Sequence, residues 1–198
     1  AIDSKKFKKI FISTNYKSIK KKYETHNFVD CPYLRSEKIS KDTTTTDKVC
    51  LDVIKFYNKK NFFFDAIVLL QPTSPFREKN SLNKVLKIFF SKKNKDRNTV
   101  MSTKYVRNYS DGLFYFRNNY LNLNKRKSKF TENRYFLYPN GAYYVFSPKK
   151  LISSQLIFTK KNLFYNIENE SENIDIDEEV DYKKAKDLIR YVKKNKTK

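Results

Sequence analysis

Only two glycines, Gly112 and Gly141, occur among the 198 residues. A GxxxxGK[ST] phosphate loop or a GxGxxG dinucleotide fingerprint needs closely spaced glycines so that backbone can approach phosphate. Kinases of the P-loop kind and classical dehydrogenases are therefore excluded. Histidine occurs once, as His26. It reads as a surface residue at a helix end, and no nucleophile–base pair can be built around it, which removes hydrolytic triads. The two cysteines, Cys31 and Cys50, form neither a CxxC pair nor any metal-ligand spacing. They imply a reduced, cytoplasmic chain in which both are small buried apolar residues. No apolar run approaches bilayer length, and the opening lacks the charged, apolar and small-residue order of a signal peptide. The expectation is a soluble protein with no membrane partner.

Acids are outnumbered, 21 against 43 bases, giving a formal charge of +22. Such a field attracts polyanions whatever their sequence. The bases, however, are mostly lysine, with eight arginines against thirty-five lysines, and Asn, Ile, Phe and Tyr are abundant too. That is the mark of compositional drift rather than of a phosphate-reading surface, which favours the planar fork of arginine. The basic face reads as solvated surface that helps to attract an anionic nucleotide, with no nucleic-acid partner. A basic RNA-binding protein stays as a rival reading, but no aromatic RNP-type strand motif supports it.

What is present is a strand–helix rhythm. Length and a 39% hydrophobic fraction suit a single domain over 1–198. Ile10–Ile12 predicts a short buried strand closed by Ser13-Thr14-Asn15, followed by a lysine-rich helix through Ile19 and Tyr23. Thr43 to Asp47 offer capping side chains, and Cys50, Ile54 and Tyr57 recur at helical spacing, predicting a helix from Thr46 to Asn58. Asp65–Leu70 is a continuous apolar run stopped by Pro72 and Pro75, as expected of a central parallel strand covered on both faces. Leu82, Val85, Leu86 and Phe89 predict a helix, and Thr99–Ser102 a strand. Residues 105–138 change character, short aromatic strands such as Leu113–Arg117 alternating with basic loops, and read as an excursion that serves dimerisation. Gly141–Phe146 returns as a strand, Ile174–Asp177 is a last short one, and Tyr182, Ala185, Leu188, Ile189 and Val192 stripe a terminal helix. The fold class is α/β: a mostly parallel sheet, helices on both faces, and a β-rich excursion.

Three runs carry chemistry. In Leu70-Gln71-Pro72-Thr73-Ser74-Pro75-Phe76-Arg77, at a strand's carboxyl end, Gln71 projects where open α/β sheets bind ligands, and its carboxamide suits a sugar or ribose hydroxyl. The same run is also readable as a plain strand-to-helix turn. In Asn173-Ile174-Asp175-Ile176-Asp177, a strand would put both carboxylates on one face, where a divalent cation relieves their repulsion. Equally open is a role capping and charge-balancing the next helix together with Glu178, Glu179 and Asp181. In Asn140-Gly141-Ala142-Tyr143-Tyr144, glycine permits close backbone approach, with Asn and Tyr as polar tips or with core aromatics behind a turn.

Together and in this order, LQPTSPF, NGAYY and IDID resemble the cytidylyltransferases that activate nonulosonic acids, the CMP-N-acetylneuraminate synthetase family. The likeness also takes in Phe7 to Asn15 and Arg35 to Asp42 with Thr46. It implies a Rossmann-like nucleotide-diphospho-sugar transferase fold and a homodimer paired through the excursion. It further implies CTP and an acidic nine-carbon sugar as substrates, and Mg²⁺ or Mn²⁺ as cofactor. Residue by residue, it implies that Arg35 and Thr46 hold the nucleotide and that Gln71 sits between nucleotide and sugar. Asn140 and Tyr144 contact the sugar, while Asp175 and Asp177 bind the catalytic metal. Three departures stand out. The family's opening strand and phosphate loop are not in this sequence, so a strand, loop and helix of about 35 residues is expected upstream. The family's S-T-D is Ser13-Thr14-Asn15 here. The family's arginine about ten residues before the NGA asparagine falls on Phe130, with Lys129 or Arg134 as substitutes, Arg134 being preferred for the sugar. The implied activity is CMP transfer from CTP to a sialic- or legionaminic-type acid. Its alternatives are a cytidylyltransferase for another acidic sugar, such as pseudaminic or 3-deoxy-octulosonic acid, and a non-catalytic binder that has lost the triphosphate loop.

Overall fold

A computed structural model describes residues 1–107, 114–117, 120–123 and 135–196. The chain is mixed α/β. Strands and helices follow as β1 (Ile10–Phe11), α1 (Lys17–Tyr23), β2 (Val29–Asp30), α2 (Thr46–Asn58), β3 (Ile67–Leu69), α3 (Lys79–Phe89) and β4 (Val100–Arg107). After them come β5 (Phe114–Arg117), β6 (Tyr120–Leu123), β7 (Tyr135–Phe146), α4 (Pro148–Ser154), β8 (Leu163–Asn166) and α5 (Glu179–Lys196). β1 and β2 form a parallel pair, β5 and β6 an antiparallel one, and the main sheet runs β3-β7-β4-β8. The chain divides into two compact units, each built from three stretches: Ala1–Leu69, Glu78–Val100 and Tyr144–Leu163 in the first, and Leu70–Arg77, Met101–Tyr143 and Phe164–Lys198 in the second.

In the first unit, α2 spans the residues that its helical spacing predicts. Cys50, Leu51, Ile54 and Tyr57 are buried on one stripe. Cys50, Leu51 and Ile54 pack with Phe146, Leu151 and Ile157, against which Ile67 and Leu69 are half-buried. Burying a side chain of this size contributes about 1.5–3 kcal/mol. None of the threonines ahead of α2 caps it; Thr45 holds the cap position without a side-chain bond. Asp47 turns away to accept the Ile157 amide at 2.7 Å. Both cysteines are free and buried. Burial pushes both thiols up, Cys50 to about 12.

The strand expected over Asp65–Leu70 is shorter and differently placed. β3 pairs antiparallel with β7 (Ile67↔Phe146, Val68↔Val145, Leu69↔Tyr144) and lies at one end of the sheet order, its residues half-buried rather than covered on both faces. The apolar run reports burial against α2, which an edge strand achieves as well as a central one. The pairing ends at Leu69, three residues before Pro72.

In the second unit, β7 begins at Tyr135, well before the predicted Gly141. Ile174–Asp177 is not a strand. The residues are irregular, following a 3₁₀ turn at Glu170–Asn173, and Ile174 and Ile176 are only half-buried. The Ile176 amide bonds the Thr73 carbonyl at 2.8 Å. Alternation alone could not foresee this, because period two also fits an extended stretch held at one point.

Candidate active site

The Gln71 loop, the Asn140–Tyr143 part of β7 and the segment around Asp175 all belong to the second unit, and their side chains meet there. Residues Gln71 to Ser74 form a four-residue turn closed by the Ser74 amide on the Gln71 carbonyl at 3.2 Å. Pro72 occupies its second position, where its fixed φ is already right. The turn buries the Ser74 hydroxyl completely. That hydroxyl lies 3.3 Å from the Asn140 carbonyl and 3.5 Å from Asp175 Oδ1, and its one proton can serve either acceptor.

Gly141 is where these walls converge. It has φ +78°, and a Cβ built on it would stand 2.7 Å from Ser74 Oγ, 2.9 Å from Gln71 Oε1 and 3.5 Å from Asp175 Oδ2. Three oxygens from two segments thus line a hollow too small for a methyl group, beside a glycine that no side chain can replace without collision.

Asn140 supports this hollow from behind. It is 1% exposed. Its Oδ1 accepts from Ser102 Oγ at 2.5 Å and from the Ala142 amide at 3.3 Å, while its Nδ2 donates to Asn173 Oδ1 at 2.7 Å. Asn173 in turn donates to the Ile167 carbonyl at 3.1 Å. The carboxamide expected at the sugar is buried here, and its bonds tie β4, β7 and the approach to Asp175 together. Beside it, Tyr143 is 1% exposed and donates to Oε1 of the buried Glu172 at 3.1 Å. Burial draws the Arg77 guanidinium below its ordinary pKa, while Tyr143, Glu172 and Asp175 push it up.

The remaining predicted residues lie as follows. Asp177 is exposed. Nearby, Asp181 accepts the Glu178 amide at 3.2 Å and also a bond from the Asp177 main chain, so the capping work ahead of α5 belongs to Asp181. In the first unit, Arg35 follows β2, its amide bonded to the Thr14 carbonyl at 2.7 Å and its Nε to Ser40 Oγ at 3.1 Å. Thr46 is exposed at the first turn of α2. Tyr144 is 8% exposed and packs edge-on against Phe158 at 5.2 Å. Arg134, and the substitutes weighed with it, lie outside the described residues, as does much of the 105–138 excursion.

Ser74, Arg77, Ser102 and Glu172 were not singled out from the sequence. Ser74 and Arg77 sit inside the proline-flanked run, so the run itself was their signal. Ser102 closes a predicted strand, and nothing in the sequence marks Glu172 as a buried acid.

The chain is mixed α/β, and its second unit brings side-chain oxygens of Gln71, Ser74 and Asp175 together at Gly141. The chain matches the family of cytidylyltransferases over residues 1–197, and it belongs to that family. It is similar to the CMP-N,N'-diacetyllegionaminic acid synthase of Legionella pneumophila, 32% identical over 88 residues that cover 44% of this chain and 38% of that protein. It is also similar to the N-acylneuraminate cytidylyltransferase of Escherichia coli O18:K1:H7, 25% identical over 213 residues that cover 100% of this chain and 45% of that protein. The chain spans less than half the length of either relative. Among the described residues no helix is long and apolar enough to cross a membrane.

Proposed function

We propose that this chain carries the transfer of CMP from CTP to an acidic nine-carbon sugar of the sialic or legionaminic type, with release of pyrophosphate. Family membership across 1–197, joined to the convergence of Gln71 Oε1, Ser74 Oγ and Asp175 Oδ2 at Gly141, carries the reading. In the second unit, Gln71 presents a carboxamide oxygen to the hydroxyls of sugar or ribose. Its turn is held by Pro72, so little freedom is lost when a substrate arrives. Asn140, bonded to Asn173 two residues before Asp175, is assigned to the sugar. In the first unit, Arg35 and Thr46 are assigned to the nucleotide and Tyr144 to the sugar; Arg134 is assigned to the sugar as well. A homodimer in the cytoplasm completes the proposal.

The donor set fits a magnesium ion. The three side-chain atoms that meet at Gly141 are hard oxygens, and Mg²⁺ takes one or two carboxylates and leaves its other positions to water and substrate phosphate. Among the described residues no group of three or more His, Cys, Asp or Glu side chains forms a cage, so such an ion would rely on those further oxygens. Asp175 would hold it, with Asp177 as the second carboxylate, and Mn²⁺ would serve in its place. Bound there, the ion would neutralise charge that develops on the phosphate oxygens. The sugar's anomeric hydroxyl attacks the α-phosphorus in line and gives up its proton to water, the bond to the β-phosphate oxygen breaks, and pyrophosphate leaves. The protein's share is orientation of the attacking and leaving oxygens.

The test is direct. The protein is given CTP, Mg²⁺ and a panel of acidic sugars while pyrophosphate release is followed. Release with a sialic- or legionaminic-type acid is expected, and no release with any sugar sinks the proposal.

A further inference from the structure

Arg77 closes the loop that carries Gln71 and Ser74, yet it faces back toward the protein. Its Nε donates to the Ala142 carbonyl at 2.7 Å and its Nη2 makes a short bond to the Gln71 carbonyl. Its Cζ lies 5.9 Å from the centre of the Tyr143 ring, whose hydroxyl reaches Glu172. The two carbonyls belong to the two walls of the hollow: Gln71 begins the turn, and Ala142 directly follows Gly141. A guanidinium is planar, with N–H groups set in a fixed fork. Bonding one carbonyl from each wall therefore sets the distance between the walls to within the tolerance of a hydrogen bond. The turn also accepts the Ile176 amide at Thr73, so the register of Asp175 depends on the same anchorage.

We infer that Arg77 is a positioning residue for the proposed cytidylyl transfer: it fixes the spacing of the Gln71 turn and the Gly141 strand, and so the convergence of Gln71, Ser74 and Asp175, while bonding main chain rather than substrate. The inference rests on the transferase reading for its consequence, but its geometry can be tested without turnover. Lysine cannot replace the fork, because a compact ammonium on a flexible stem makes no pair of divergent bonds in one plane.

The experiment compares R77K and R77M with R97K in the whole protein. Arg97 also donates to a carbonyl, that of Phe89 at 3.0 Å, but belongs to the first unit and touches no part of the hollow. Hydrogen–deuterium exchange is read at the Ile176 amide and across residues 70–77, with α2 as internal reference, at a temperature where every variant is folded. Steady-state kinetics give kcat and KM for CTP. Both Arg77 variants should speed Ile176 exchange by about 10-fold or more while α2 stays unchanged, and lower kcat by about 10- to 100-fold with little change in KM, as expected when reacting groups shift by a fraction of an ångström. Added guanidinium ion should restore part of the lost kcat in R77M. R97K should leave local exchange and kcat within about twofold of the parent protein. Unchanged Ile176 exchange in R77M, full kcat in R77K, or an equal loss in R97K would overturn the inference. A parent protein that releases no pyrophosphate defeats the transferase reading alone, since the exchange comparison still decides whether Arg77 holds the walls.

Discussion

Replacing Gly141 with alanine tests the hollow most sharply, because two independent costs act at one atom. At φ +78° an L-residue with a Cβ occupies left-handed space, which costs about 1–2 kcal/mol. The added methyl then meets Ser74 Oγ at 2.7 Å and Gln71 Oε1 at 2.9 Å, so at least one must move. Ser74 is fully buried and has nowhere to go. Overpacking of this sort costs about 1–3 kcal/mol. The sum is about 2–5 kcal/mol, and for a chain of this size a central 3 kcal/mol lowers the melting midpoint by roughly 6–12 °C. Activity should fall further than stability alone accounts for, by about 100-fold at a temperature where the variant is still folded, since displacement of Gln71 or Ser74 spoils their aim. Thermal melting followed by circular dichroism and a pyrophosphate-release assay check both halves. A G141A protein with parental melting midpoint and parental kcat would refute the geometry on which the site is built.

Other outcomes follow from the same contacts. Asp175→Asn should weaken Mn²⁺ binding, read by calorimetry with CTP present, by more than Ser74→Ala does; the serine acts only through the carboxylate and should cost about 10-fold. Asn140→Ala leaves Ser102 and Asn173 without their shared partner in a buried place, a loss of about 1–3 kcal/mol in urea unfolding. Alkaline pH should destabilise the fold. The Cys50 thiol is held neutral up to about 12 against an ordinary value of 9.0, so its contribution is intact below pH 9 and is lost as pH rises toward 12. Burial, with bonds to Asp52 and Asp30, pushes Tyr33 and Tyr57 in the same direction. The urea midpoint should therefore fall steadily above pH 9, and a flat profile to pH 12 would contradict the burial of these groups.

Periodicity found what periodicity can find. The stripe Cys50, Ile54, Tyr57 predicted α2 with its observed ends, and Leu82, Val85 and Phe89 all proved buried on α3. Composition and spacing could not decide how a strand is partnered: the apolar run at Ile67–Leu69 is equally suited to a covered centre or a half-covered edge, and only the path of β7 settles it. The Ile-Asp-Ile-Asp alternation suggested a strand, where the chain is instead irregular and bonds the Thr73 carbonyl through the Ile176 amide. Among the residues that the second unit brings together, Gln71, Asn140 and Asp175 were legible as motif members, but their contacts were not. Whether a carboxamide faces a ligand or its own protein depends on Ser102 and Asn173, which lie 38 and 33 residues away along the chain. Glu172 was invisible because an acid beside other acids looks like surface until a tyrosine hydroxyl is found on it.

Each compact unit is stitched from three stretches that alternate along the sequence. No single cut of the polypeptide yields either one whole. A gene truncated after Tyr143 would deprive β3 of its pairing partners Tyr144, Val145 and Phe146 and strip Phe146, Leu151 and Ile157 from the α2 core. Such halves should therefore fail to fold separately, and evolution cannot trade one unit for another by simple exchange of contiguous exons or gene segments. Any transplant must carry the interleaved chain as a piece.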